Sequence, residues 1–204
     1  MSPGATFERV YNQLKRMLAE GELPPGSPIE PALIGKQIAS SITPIRDALH
    51  RLTGERMVEA PNHNGFRVPL PTEASLRDLY RWNGLVLGLA AKQLPREFKL
   101  KEIAQPVAGT DIAASTAEVF LSIARAVGSS ELSATVELLN DRLARFRLAE
   151  GAALKSVTEE FSGLTTISVS GDRAALSTAI TRYHRRRIAA VAGILALSVL
   201  VVDT

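Results

Sequence analysis

The sequence predicts a mainly α-helical chain, with three helices and a β-hairpin followed by an all-helical bundle. Three observations carry this. Amphipathic segments separated by strong turn signals fill the N-terminal third. Two strand-like runs, Met57–Ala60 and Gly65–Val68, flank Pro61-Asn62-His63-Asn64. Beyond Pro69-Leu70-Pro71-Thr72 the chain is rich in alanine and leucine at helical spacing.

The first helix is expected over Glu8–Glu20, with Val10, Leu14, Met17 and Leu18 on one side, and it stops at Gly21-Glu22-Leu23-Pro24-Pro25-Gly26. Pro31–Ala39 forms a second, through Leu33, Ile34 and Ile38. Ser40–Leu52 forms the third, where Ser41 or Thr43 caps the start and Pro44 suits the first turn, its missing N–H costing nothing there. Ile45, Ala48, Leu49 and Leu52 make its buried face, and Thr43, Arg46, Asp47, His50 and Arg51 its outer one. Such a face is either an ordinary solvated surface or a recognition helix, with amides and Arg46 on phosphates and neighbouring side chains at base edges. Three helices and a hairpin together make a winged helix-turn-helix, whose third helix enters the major groove.

The two prolines of the linker keep it extended, which sets domains at 1–70 and 71–204. Thr72 caps a helix over Glu73–Leu94, with Leu76, Leu79, Tyr80, Leu85, Leu87 and Leu89 as its apolar face. Trp82, the single tryptophan, is expected to anchor packing there, with ligand stacking as the alternative. Further helices are expected over Lys99–Val107, Asp111–Val127, Ser130–Glu150, Ser156–Ser168 and Arg173–Val201. Ile188–Val202 is almost wholly apolar but short of the ~20 residues a spanning helix needs. It reads as a buried or self-associating helix, with a membrane anchor as the lesser alternative.

Composition sets outer limits. The 204 residues carry a formal charge of only +3, and residues 1–72 hold eight Lys/Arg against seven acids. Any contact with nucleic acid therefore depends on where a few cations stand. There is no cysteine, which excludes a disulfide framework and thiolate metal sites and fits a cytoplasmic setting. The N-terminus lacks a basic-then-apolar leader pattern. No Gly-rich phosphate loop, nucleophile elbow or His-Glu-x-x-His occurs, and the three histidines fall on separate elements, so catalysis is not expected.

Gly21-x-Leu23-x-Pro25-Gly26, Ile34 through Ile38, Thr43-Pro44-Ile45-Arg46-Asp47-Ala48-Leu49-x-x-Leu52 and Gly65-x-x-Val68 occur in an order that resembles the GntR family of bacterial transcription regulators, over roughly residues 7–70. The helical remainder resembles the FadR-type (FCD) effector domain. The resemblance implies a homodimer binding a double-stranded DNA operator. It places Thr43, Arg46 and Arg51 at DNA-contacting positions and His63, Asn64 and Gly65 at the wing tip; the full expected set adds Ser41, Pro44, His50 and Arg67. Two residues depart from the family pattern: Ile42 stands where an arginine is usual, and Arg56 where a glycine follows the glutamate.

Many FCD domains hold a metal on an aspartate and three histidines. The matching positions here are Ala117, Leu121 and Phe161, with His184 one residue beyond Tyr183, so no metal or other cofactor is expected. A surviving pocket would be lined by Trp82, Phe120, Leu121, Phe161, Tyr183 and His184 and would take an apolar or amphipathic ligand. His184 itself is expected to be partly exposed in the basic run Arg182 to Arg187, which is either a solvated face or an anion site. Whether a small-molecule effector exists is left open by the sequence. The alternative from another class is a helical module that binds protein or membrane and keeps a vestigial winged helix.

Overall fold

The computed structural model describes residues 3–61, 65–95, 98, 100 and 112–200. They fall into two compact units, built on Met1–Pro71 and on Thr72–Ser198.

In the first unit, α1 (Pro3–Glu20), α2 (Pro31–Gln37) and α3 (Ile42–Gly54) enclose Val10, Leu14, Met17, Ile34, Ile45, Leu49 and Leu52. Pro31 opens α2, as its fixed φ favours. Ser41 holds the N-cap position of α3 but makes no side-chain cap bond, and Thr43 lies inside the helix, so neither caps it as expected. The wing is built differently from a simple hairpin. Strand β2 (Phe66–Arg67) pairs antiparallel with β1 (Pro28–Ile29), and touches the Met57–Ala60 run only where Glu59 and Arg67 exchange backbone hydrogen bonds of 2.8 Å. A two-residue strand leaves no periodicity to read.

The C-terminus of α3 is a Schellman motif. The Met57 N–H reaches the Leu52 carbonyl at 3.0 Å and the Arg56 N–H reaches that of Thr53 at 3.1 Å. Arg56 sits between them at φ 59°, the left-handed region usually given to glycine. Met57 and Leu52, both buried, supply the apolar contact that accompanies the motif.

The second unit contains α4 (Glu73–Gln93), α5 (Ile112–Ala126), α6 (Ser130–Ala153), α7 (Val157–Ser170), α8 (Arg173–Ala189) and α9 (Val191–Leu200). Side chains cap the starts of α4, α6 and α8. Thr72 and Ser75 form a reciprocal capping box, Ser129 accepts from the Leu132 N–H, and Asp172 accepts from Ala174 and Ala175. The core runs through Leu76, Tyr80, Leu87, Val119, Phe120, Leu139, Leu143, Leu176 and Ile180.

Three expectations are corrected. On α4 the buried stripe is Leu76, Leu79, Tyr80, Asn83, Val86, Leu87, Ala90 and Ala91. Trp82, Leu85 and Leu89 lie outside it, 50%, 67% and 51% exposed, so Trp82 is no packing anchor. The expected last helix is two. Its N–H ladder tightens at Ala190, which donates to both Arg186 and Arg187, and the turn brings buried Val191 and Ile194 onto the core. No helix among the described residues is long and apolar enough to cross a membrane. The helix expected over Lys99–Val107 lies almost wholly outside the described residues.

Arg56→Gly should relieve the left-handed strain and raise stability by about 0.5–1 kcal/mol, once the greater freedom of unfolded glycine is subtracted. Urea unfolding of both proteins measures it.

Candidate nucleic-acid interface and bundle interior

The outer face of α3 is polar apart from Ile42. Ser41, Thr43 and Arg46 are exposed, and none of their side chains has a hydrogen bond or ion pair among the described residues. Pro44 is the third residue of the helix, so its missing N–H falls among the four that have no intrahelical partner. The remaining amides and the helix dipole make this end receptive to an anion. His50, also exposed, packs edge-on to Phe66 with ring centroids 4.9 Å apart, which sets the recognition helix against the wing strand.

Arg51, on the same helix, is engaged within its own domain. Its guanidinium lies 4.0 Å from the centre of the Tyr11 ring, 3.1 Å from Glu55 and 3.5 Å from Glu8. Tyr11 in turn donates its hydroxyl to Glu55. Arg51 therefore pins α3 to α1, and Arg46 is the uncommitted cation of the face. On the wing, Gly65 has φ 79°, a conformation that requires glycine, and Arg67 is exposed beside it. His63 and Asn64 lie outside the described residues.

The bundle interior holds the polar groups that sequence reading missed. Arg187, 1% exposed, donates to Glu150 at 2.9 Å, pairs with Glu160, and stacks 3.4 Å from the centre of the Tyr183 ring. Glu150 also accepts from the Tyr80 hydroxyl at 2.7 Å and more distantly from Tyr183 at 3.3 Å. Burial, and next the Glu150 charge, push the Tyr183 hydroxyl up to about 12. Arg187 was expected on a solvated face; no spacing rule reveals that its partners stand on α6 and α7.

His184 is likewise buried, at 4% exposure, between Phe120, Tyr183 and α4. Its Nδ1 lies 2.7 Å from the Ile180 carbonyl and its Nε2 2.7 Å from Asn83 Oδ1. A neutral ring carries one N–H and cannot donate to both. Rotating the Asn83 amide by 180° lets Nε2 accept from its NH2 and also gives that otherwise unpartnered group a bond. Gly84 makes room for this ring, since a Cβ there would stand 3.0 Å from His184 Cγ.

Phe120, Tyr183 and His184 thus stand together. Leu121 and Phe161 are buried in the bundle, and Trp82 faces outward. These residues do not suit a metal. Ala117, Leu121 and Phe161 offer no donor, both nitrogens of His184 are engaged, and no group of three His, Cys, Asp or Glu converges among the described residues.

Arg147 is only partly satisfied: Nη1 donates to Asn140 at 2.9 Å, while Nε and Nη2 have no hydrogen-bond partner among the described residues, and the guanidinium lies 5.4 Å from the centre of the Phe120 ring. Separately, a groove of about 600 Å³ runs along the outside of α8 between Thr178, Thr181, Arg182, Arg185 and Arg186.

Residues 6–68, which contain most of α1 with α2, α3 and the wing, match the profile of the bacterial regulatory proteins, gntR family. Over these residues the chain carries a helix-turn-helix domain of the GntR type. It is 30% identical over 79 residues to the uncharacterised HTH-type transcriptional regulator YdhC of Bacillus subtilis (strain 168), and 31% identical over 70 residues to the HTH-type transcriptional repressor GlaR of Escherichia coli (strain K12). Those spans are 39% and 34% of this chain and only 35% and 32% of the relatives' own length. The fold extends further. McbR/YncC of E. coli aligns with a TM-score of 0.70 over 94% of this chain and 98% of its own, at 21% identity. A chain from Rhodococcus sp. RHA1 assigned to the GntR transcriptional regulators aligns at 0.73 over 93% and 98%, at 15% identity. At these identities the likeness is one of fold.

Burial lowers the His184 pKa to about 3, against a smaller opposing effect of the Ile180 carbonyl and with help from Arg147 and Arg187. The unfolded chain takes up this proton near the ordinary value of about 6.5. Stability present at neutral pH should therefore be lost as pH falls below that value, by about 1.4 kcal/mol per pH unit from this group. Urea unfolding between pH 7 and 5 should show a shallower loss in His184→Gln than in the wild type.

Proposed function

We propose that the protein is a DNA-binding transcription regulator that acts by recognition rather than catalysis, in the cytoplasm, as a homodimer on a two-fold operator. The carrying observation is the outer face of α3, where free hydroxyls, unfilled amides and the uncommitted Arg46 stand together beside the wing. Ser41, Thr43 and the N-terminal amides suit phosphates, Arg46 suits a guanine edge, and Gly65 and Arg67 suit the neighbouring backbone. Fluorescence anisotropy with the DNA upstream of its own gene tests this. Arg46→Ala should weaken binding by about 1–3 kcal/mol while leaving the melting temperature in place.

Dimerisation suits α4. Trp82, Leu85 and Leu89 recur at spacings of three and four, an exposed apolar stripe that a second copy would cover in an isologous contact. Leu85→Arg should convert the dimer to a monomer in sedimentation at micromolar concentration without unfolding it. A wild-type monomer there would remove this part of the reading.

The helical domain is proposed to sense an effector without a metal, by favouring one spacing of the two reading heads. Arg147 favours an anionic effector over the apolar one read from the sequence, because two of its buried nitrogens, unpartnered among the described residues, call for an acceptor. A panel of small carboxylates and inorganic phosphate should include one that raises the melting temperature of the wild type. Arg147→Leu should abolish that rise, with circular dichroism checking that the variant is folded.

A further inference from the structure

We propose that Ile42 reads the 5-methyl group of a thymine in the major groove, so that the start of α3 recognises sequence by apolar contact as well as by charge. The inference rests on the DNA-binding reading above.

Ile42 is the first residue of α3 and is 50% exposed, whereas Ile45, Ala48, Leu49 and Leu52 of the same helix are buried. Every other exposed position of α3 carries a polar side chain or glycine: Thr43, Arg46, Asp47, His50, Arg51 and Gly54. The single outward aliphatic group thus stands at the end of the helix that would point into the groove, on the same side as Arg46 one turn later.

The edges of the base pairs give such a group one complement. Guanine, adenine and cytosine present only donors and acceptors in the major groove, and thymine alone adds a methyl. Isoleucine pressed against the first three would strip water from polar atoms and give nothing back, while against thymine it removes two apolar surfaces from water. Discrimination therefore comes from both terms. Four residues along a helix advance about 6 Å, between one and two base-pair steps of about 3.4 Å. The thymine read by Ile42 and the guanine read by Arg46 should accordingly be neighbours, or one pair apart, in each half-site.

The test uses the full chain and duplexes it enriches from a random pool. Each thymine of the enriched sequence is replaced in turn by deoxyuridine, which pairs identically but lacks the methyl. At one position per half-site this should weaken wild-type binding about fourfold, the worth of one methyl kept from water, and about fifteenfold when both half-sites are changed. Ile42→Ala should keep its melting temperature and bind the thymine and deoxyuridine duplexes equally. Ile42→Arg should enrich a different base at that position. If no thymine responds to deoxyuridine, or if Ile42→Ala keeps the wild-type response, the proposal is overturned while the DNA-binding reading stands. A pool from which nothing is enriched overturns that reading and this inference with it.

Discussion

Glu150 on α6 and Arg187 on α8 meet 2.9 Å apart in the interior of the helical unit, and the arrangement around them depends on that pair being fully satisfied. Removing two charges from water costs several kcal/mol per ion, and attraction between them offsets this only with further hydrogen bonds. Tyr80 from α4, Tyr183 from α8 and Glu160 from α7 supply those bonds. Directional contacts to four helices accept one registration of those helices, where aliphatic contacts tolerate several. The pair thus fixes the placement of Phe120, Tyr183 and His184, and with them the surroundings of Arg147.

The N-terminal unit is held by other means. Its core is aliphatic apart from a few rings, and its polar contacts lie at the edge, where Arg51 stacks on Tyr11 and both engage Glu55. That edge cluster fixes the angle of α3 against α1 and consumes one of the two arginines of the helix. The division of labour follows from position. Arg51 is nine residues into α3 and lies over α1, while Arg46 is in the first turn and a half and its side chain makes no hydrogen bond or ion pair among the described residues.

The reading of the sequence succeeded where local chemistry decides. Thr72 caps α4 because a hydroxyl three residues from an amide needs no distant partner. The four buried positions of α3 follow from period alone. It went astray on α4, where leucines lie on two sides of one helix. Asn83 occupies the buried stripe, so counting apolar residues led to Leu85 and Leu89 instead. Asn83 is buried because His184 faces it, 101 residues away, and no local rule reports such a pairing. The same holds for Arg187, which looks like part of a solvated basic run until Glu150 and Glu160 are placed beside it.

The contact of Gly84 with the His184 ring carries a consequence for descent. A Cβ at residue 84 would press on Cγ, Cβ and Cδ2 of the imidazole at 3.0–3.3 Å, so the space is shared between the two residues. Neither can change size alone: a larger residue at 84 calls for a smaller one at 184, and loss of the ring leaves a void that an alanine at 84 would begin to fill. Asn83, whose amide faces the ring, loses its reason to be polar once the imidazole is gone. Positions 83, 84 and 184 should accordingly be inherited as a block among descendants of this chain, with single replacements rare and joint ones tolerated.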